Sequence, residues 1–417
     1  MSDRERDGFE RISGDDLLAA IERRHATARL TMLRDVERLT RRDVLRRGGR
    51  FAAGAGAVAI LAGAGFSLRP DRALAQDATP AAALPEISSI PDNLKGSGEV
   101  VVCSWGGAFQ DAQREAYFKP FEQLSGIKVI EAEGPDTAKV KAMVDTGNVE
   151  WDVVQFDQSG VPNLAKKGDY WEPMDYSLFD TANIDPAHMQ PLYVDMLPYA
   201  QILAYRTDVF PEAPQGWKDF WDTERFPGPR TMIAGSGGVN PFLEAALIAD
   251  GVPPAEVYPI NVDRAFESMD RIRDDVAKFW EAGAVPAQML ADKEAVMAVS
   301  WNGRIAAIQK QGVPAEIQWN EGMALTDVWA VPKGAKNKEN AMKFCAFITR
   351  AEPQARLSML IPYGSVNKMS MELLPPEVQK DLVTSPEIQA KLFPFNPQWW
   401  VDNADAVAER WNEWILG

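Results

Sequence analysis

Val100-Val101-Val102-Cys103, Ile127-Lys128-Val129-Ile130 and Asp152-Val153-Val154-Gln155 are three short apolar runs, separated by two longer amphipathic stretches, Asp111 to Ser125 and Thr137 to Asp145. A strand buried on both faces reads as a continuous β-branched run rather than as an alternation, which is the mark of a parallel sheet. Runs of this length with helical patterns between them specify β-α-β-α-β order, a parallel sheet with helices on both faces. Ligands in such sheets bind beyond the carboxyl ends of the strands. That rule directs attention to Ser104-Trp105-Gly106-Gly107 after the first strand and to Phe156-Asp157-Gln158-Ser159 after the third.

A second block repeats the theme. Strands are predicted at Arg230 to Ile233, Ala295 to Ser300, Ala315 to Trp319 and Ala324 to Val331, and helices at Pro241 to Ala249, Asn302 to Gln311 and Lys338 to Arg350. Val262 to Ala282 reads as one long amphipathic helix, and Pro375 to Gly417 as a helical tail punctuated by Pro and carrying four Trp.

The first 75 residues differ in kind. Thr40-Arg41-Arg42-Asp43-Val44-Leu45-Arg46 reads as a twin-arginine export box and Phe51 to Leu68 as the weakly apolar h-region behind it, ending at Ala73-Leu74-Ala75, where small residues suit signal peptidase. The mature chain is expected to begin near Gln76. No Cys follows the h-region, which argues against a lipid anchor. A retained membrane span is the competing reading, but Ala and Gly contribute little transfer energy compared with Leu or Ile. Met1 to Leu39 is unusually long for an n-region. Gln76 to Gly98, rich in Ala, Pro and Ser, reads as a mobile linker.

From Gln76 onward the chain keeps 29 basic and 49 acidic side chains, a balance that repels nucleic acid and anionic lipid at long range. A body of this size calls for two lobes. His188 is its one histidine, and Cys103 and Cys345 are its two cysteines. Each lies in an apolar pattern, so two separate buried thiols are expected rather than a disulfide. The inventory excludes the common catalytic motifs: there is no Gly-x-Ser-x-Gly elbow, paired-Cys motif or His-x-x-x-His spacing. No catalytic residue, metal ligand or cofactor is expected.

Ser104-Trp105-Gly106-Gly107-Ala108-Phe109 followed by Gly126-Ile127-Lys128-Val129 resembles the opening of the extracellular solute-binding proteins related to the spermidine/putrescine receptors of ABC importers. Four further collinear segments fit: Trp151-Asp152-Val153-Val154, Ser300-Trp301-Asn302-Gly303, Leu325 to Pro332 with Lys336-Asn337-Lys338, and Ile361 to Asn367. The resemblance implies a two-lobed α/β periplasmic-binding-protein fold (type II), each lobe a mostly parallel sheet flanked by helices, with two crossing segments near Leu197 to Ala204 and Ala324 to Ala330. Lobe 1 would comprise residues 99–200 and 329–395, lobe 2 residues 201–328, and 396–417 a helical tail. It implies a monomeric, periplasmic, non-enzymatic subunit that captures a small amine-containing solute between the lobes, closes on it, and hands it to a membrane permease.

The resemblance also implies site residues. Asp327 matches the carboxylate with which polyamine receptors hold an ammonium group, Trp301 an aromatic wall, and Tyr363 a further polar aromatic position. Two departures matter: Leu325 stands where that family places a tryptophan, and Ser236-Gly237-Gly238-Val239-Asn240-Pro241 where it places acidic residues. A Ser-Gly-Gly turn leading into a helix exposes backbone N–H groups suited to an anion, and Arg230 just ahead of it adds a possible fork for a carboxylate. The expected solute is therefore a polyamine or a zwitterion, the sharper expectation being a zwitterion such as an amino acid, an opine-like conjugate or an aminophosphonate, with its amine on Asp327 and its acid group at Ser236, Gly237 and Asn240; the turn as a plain helix cap is the competing reading. Trp105, Gly106, Gly107, Asp157 and Gln158 complete the expected contacts. Trp399, Trp400, Trp411 and Trp414 read as lobe packing. The rival functions are a carboxylate-based hydrolase exported by the same route, and a ferric-iron receptor of the same fold.

Overall fold

A computed structural model describes residues 83–236 and 240–416; the expected leader and Gly237 lie outside them. In chain order the elements that position the cleft begin with β1 (Glu99–Ser104), then α1 (Gly107–Gln113), which passes through a π turn at Arg114–Phe118 into α2 (Lys119–Ser125). Next come β2 (Lys128–Glu133), α3 (Thr137–Thr146), β3 (Val153–Asp157), α4 (Gly160–Ala165), β4 (Met189–Gln190) and β5 (Tyr193–Arg206). They are followed by β6 (Arg230–Ile233), α5 (Leu243–Ala249), α6 (Val262–Asp270), β7 (Val276–Trp280), β8 (Met297–Trp301), α7 (Asn302–Lys310) and β9 (Ala315–Ala330). The remainder is α8 (Lys338–Ile348), α9 (Ala351–Leu360), β10 (Leu392–Pro394) and α10 (Pro397–Leu416).

The sheet order is β2-β1-β3-β9-β5-β8-β6-β7, and it is the same unit twice. From one edge, β1 runs parallel to β2 and β3, and β3 meets an antiparallel long strand, β9; from the other, β6 runs parallel to β7 and β8, and β8 meets an antiparallel long strand, β5. The long strands, of 14 and 16 residues, pair with each other between the two units. The three Val of β1 and the two of β3 supply the β-branched surface that both faces require, and Val100, Val102, Val153 and Val154 are fully buried. Asp152 fastens the first unit: its carboxylate accepts from the Val101 N–H (2.8 Å) and from the Asn337 backbone and side-chain N–H groups (2.8 and 2.9 Å).

Four expectations are corrected. The helical period of Val262 to Ala282 holds only to Asp270; Arg273–Asp275 makes a single turn, and Val276 to Trp280, β-branched and aromatic, joins the sheet beside β6. The two strands expected at 315–319 and 324–331 are one. Asn320-Glu321-Gly322 looks like a terminator, and Glu321 does take a left-handed φ of 62°. The kink is instead absorbed as a bulge, because Glu321 accepts from both the backbone and indole N–H of Trp217 (3.1 and 2.7 Å). The tail is not helical throughout, since β10 pairs with β9 before α10 begins. The segment expected to be a mobile linker is anchored well before Glu99, since Ile90 and Leu94 bury in the core: apolar contact, rather than composition, sets where folding starts.

In α10, Trp411 and Trp414 pack edge-on against Phe279 (5.3 and 5.4 Å between ring centres), and the Trp414 indole donates to Asp270 at 2.6 Å. Cys103 and Cys345 are both free and buried, and burial pushes the Cys103 thiol up to about 12. Among the described residues no helix is long and apolar enough to cross a membrane.

Candidate ligand-binding cleft

The carboxyl ends of β1, β3, β6 and β8 deliver Trp105, Asp157, Ile233 and Trp301 to one place, where a larger and a smaller cavity adjoin and share Trp105, Tyr199 and Trp301. Trp105 and Trp301 lie 5.8 Å apart at a tilt, and Tyr199 stands edge-on to Trp301 at 6.3 Å. The smaller cavity adds Phe109, Leu197, Arg304, Asp327 and Tyr363. Tyr363 fits because the facing residue is Gly303, where a Cβ would stand 2.5 Å from the Tyr363 ring.

Asp327 is buried, and its Oδ2 accepts from the Trp105 indole at 3.1 Å and the Gln155 amide at 2.5 Å, with the Tyr199 hydroxyl a third donor. Gln155 is itself set by Ser104 and Gln113, whose side chains bond its carbonyl at 2.8 and 3.1 Å. Asp327 forms no ion pair among the described residues. Burial pushes its carboxyl up to about 8; Asp157, its register partner on β3, pushes the same way, and the three donors hold it down. The strand beside it carries an extra residue, Met196, where the β5–β9 register shifts between Asp195 and Leu197; bulges of this kind re-aim side chains next to functional sites.

The cation in the cleft is Arg304, in the first turn of α7. It is buried, donates to the Gly106 and Trp105 carbonyls (2.9 and 3.2 Å), leaves Nε without a partner, and forms no ion pair among the described residues. The glycines after β1 serve this contact. Gly106 and Gly107 adopt φ of 65° and 58°, and a Cβ on Gly107 would meet the Arg304 guanidinium at 3.0 Å. They bring backbone to Arg304, whereas close approach to solute was their expected purpose.

Six of the expected site residues converge here: Trp105, Asp157, Asn240, Trp301, Asp327 and Tyr363. Asp157 divides its work, since its Oδ1 also accepts from the Ser159 and Gly160 N–H groups at the start of α4. Three do not converge. Arg230 is fully buried and gives its guanidinium to the backbone carbonyls of Phe220, Gly228, Asp222 and Phe226, so it braces a turn and does not line the cleft. Gln158, one residue past Asp157, points away and donates to Asp195 at 3.0 Å. Ser236 sits at an outer mouth, its hydroxyl donating to Glu281 at 2.5 Å.

Sequence reasoning missed Arg304, Tyr199, Gln155, Glu244 and Trp400. Arg304 follows the quoted Ser300 to Gly303 segment directly, so its charge at a helix start beside a cleft tryptophan was readable. Glu244 is a lone acid inside the apolar run Leu243 to Ile248, also a readable signal. Trp400 enters the larger cavity from α10 only through tertiary packing, which corrects its assignment to lobe packing alone.

Residues 116–384 match the model of the bacterial extracellular solute-binding protein family. The gamma-aminobutyric acid-binding protein of Pseudomonas aeruginosa is 39% identical over 325 residues, covering 76% of this chain and 91% of that protein. The spermidine/putrescine-binding periplasmic protein of Salmonella typhimurium is 26% identical over 302 residues, 69% of this chain and 83% of that one. Among solved structures, the binding protein AgtB of A. tumefaciens R10 in complex with agropinic acid superposes with a TM-score of 0.72 at 36% identity, covering 77% of this chain and 99% of that one. The repeated sheet unit, the two shared strands and these matches together place the chain in the family of bacterial extracellular solute-binding proteins.

Proposed function

We propose that this protein is the solute-binding subunit of an ABC importer and that its solute is a zwitterion, held with its ammonium group on Asp327 and its carboxylate on Arg304. The carrying observation is that an acid and a guanidinium, both buried and neither in an ion pair among the described residues, line one cavity. An uncompensated buried charge costs several kcal/mol, so a bipolar solute that compensates both gains affinity at each end. Arg304 also opposes a second ammonium, which argues for an amino acid over a diamine. This pairing differs from the expected one in a single respect: Arg304 replaces the Ser236 to Asn240 turn and Arg230 as the acid-binding group. That a relative is named for γ-aminobutyrate, itself a zwitterion, supports the reading.

Closure follows from the same layout. Residues 99–200 with 329–395 and residues 201–328 form the two lobes of this proposal, with α10 strapped across them. Solute that touches both favours the closed form by its differential affinity alone, and the closed form is what a permease recognises. The protein acts as a monomer without enzymatic activity, exported through its twin-arginine segment and not lipid-anchored. Replacement of Arg41 and Arg42 by Lys blocks export if that route is used. Titration calorimetry with γ-aminobutyrate, putrescine and spermidine tests the central claim: binding of γ-aminobutyrate is expected, and binding of the diamine and triamine alone refutes it.

A further inference from the structure

Glu244 has no role in the amine-and-acid pairing, yet it is fully buried on α5 and lines the larger cavity. Its Oε1 accepts two hydrogen bonds, from the Tyr258 hydroxyl at 2.5 Å and the Trp400 indole at 2.8 Å, while Oε2, equally shielded from solvent, has no partner among the described residues. Among the described residues no Lys or Arg lines that cavity. A buried carboxylate oxygen left unbonded costs on the order of 1–3 kcal/mol or more, and burial accordingly holds this carboxyl above its ordinary range.

The two cavities meet at Trp105, Tyr199 and Trp301, and their contents decide which end of a solute reaches toward Glu244. Arg304 lines only the smaller one. Asp157, the register partner of Asp327, and Leu325, two residues along β9, both line the larger. The larger cavity therefore opens from the nitrogen end of the solute. Resting on the zwitterion reading, we propose that Glu244 is a second solute-binding residue whose free oxygen accepts a hydroxyl or N–H donor. The solute is then a secondary amine that joins an amino acid to a polar, hydrogen-bond-donating chain.

The geometry supplies a discriminating substitution. Trp400 N–H can only donate, so in Glu244→Gln the amide carbonyl takes the Oε1 position and the NH2 group turns into the cavity. A donor then faces the donor on the solute. Were Glu244 instead a protonated acid donating to an acceptor, the amide would preserve that contact.

The test is calorimetry on the full exported protein with three probes: γ-aminobutyrate, its N-(1-deoxyglucityl) derivative, and its N-hexyl derivative, equal in chain length but without hydroxyls. In the wild type the glucityl compound is expected to bind roughly 10- to 100-fold more tightly than the hexyl compound, as one charge-assisted hydrogen bond provides. In Glu244→Gln that advantage disappears, while γ-aminobutyrate, which stays in the smaller cavity, keeps its affinity within about threefold and certifies the fold. Equal wild-type affinities for glucityl and hexyl compounds, or an undiminished glucityl advantage in Glu244→Gln, overturn the proposal while leaving the zwitterion reading intact. Failure of the wild type to bind γ-aminobutyrate or either derivative overturns both. The wild-type comparison stands even if the variant does not fold.

Discussion

Binding of an ammonium solute should release a proton and tighten with pH. In the empty cleft the Asp327 carboxyl titrates near 8, because burial opposes its charge and Asp157 opposite adds to the opposition. A solute ammonium pairs only with the ionised form. With a free-state value of about 8, roughly nine-tenths of the population is protonated at pH 7, and apparent affinity rises about 50-fold from pH 6 to pH 8, levelling off above. The other groups facing Asp327 hold one state across that window: Tyr199 and Tyr363 are pushed above the ordinary phenol value by burial, and Arg304, though pushed down by burial, remains a guanidinium. Glu244 lines the neighbouring cavity and not the one that holds Asp327. Calorimetry of γ-aminobutyrate binding in two buffers of different ionisation heat, at pH 6, 7 and 8, reads both the affinity and the protons released. An affinity that stays flat across this range, or that falls as pH rises, refutes the assignment of Asp327 as the ammonium partner.

Asp327→Asn should weaken γ-aminobutyrate binding by about 3–5 kcal/mol. Without solute the same variant should gain stability over the wild type as pH rises. A carboxyl raised in the folded state binds more protons folded than unfolded, so its contribution is retained below about 4 and lost as pH climbs toward 8; melting curves at pH 5 and 8 check the widening gap. Tyr199→Phe removes one donor that holds Asp327 down, and should move the midpoint of the affinity-versus-pH curve upward by about one unit; an unmoved midpoint excludes that hydroxyl from the site. Gly303→Ala sets a Cβ 2.5 Å from the Tyr363 ring and 2.7 Å from Ile361, which should cost about 1–3 kcal/mol on thermal unfolding. Neither thiol should react with iodoacetamide in the folded protein at pH 8, and a reductant should leave the melting temperature unchanged.

The legible parts of this structure were those fixed by local chemistry. Three apolar runs spaced by helical periods specified the parallel unit, strand ends marked Trp105 and Asp157, and the family resemblance marked Trp301. What failed had a tertiary cause. The chain of Val276 to Trp280 carries enough helical period to extend α6 on paper, but pairing with β6 outweighs that preference. Asn320-Glu321-Gly322 is a turn by composition and a bulge in fact, because Trp217, a hundred residues away in sequence, satisfies Glu321. Arg230 reads as a free cation ahead of an anion-binding turn; only the fold reveals that four backbone carbonyls occupy it.

The placement of the acid on β9 rather than on a loop gives the cleft its particular physics. Loops carry function well because they vary and adapt, but an acid on a mobile loop solvates itself and titrates in the ordinary range. Asp327 cannot do so: it lies in a strand paired on both sides, with β3 and β5, so neither side can yield without breaking ladder hydrogen bonds. The bulge at Met196 turns that rigidity to use, fixing which β5 residues stand beside the carboxylate while leaving its partners in register. A carboxyl so confined keeps its high proton affinity, and on the proposed reading a solute ammonium replaces the missing counter-ion, with the free energy of that replacement delivered to β5 and β9.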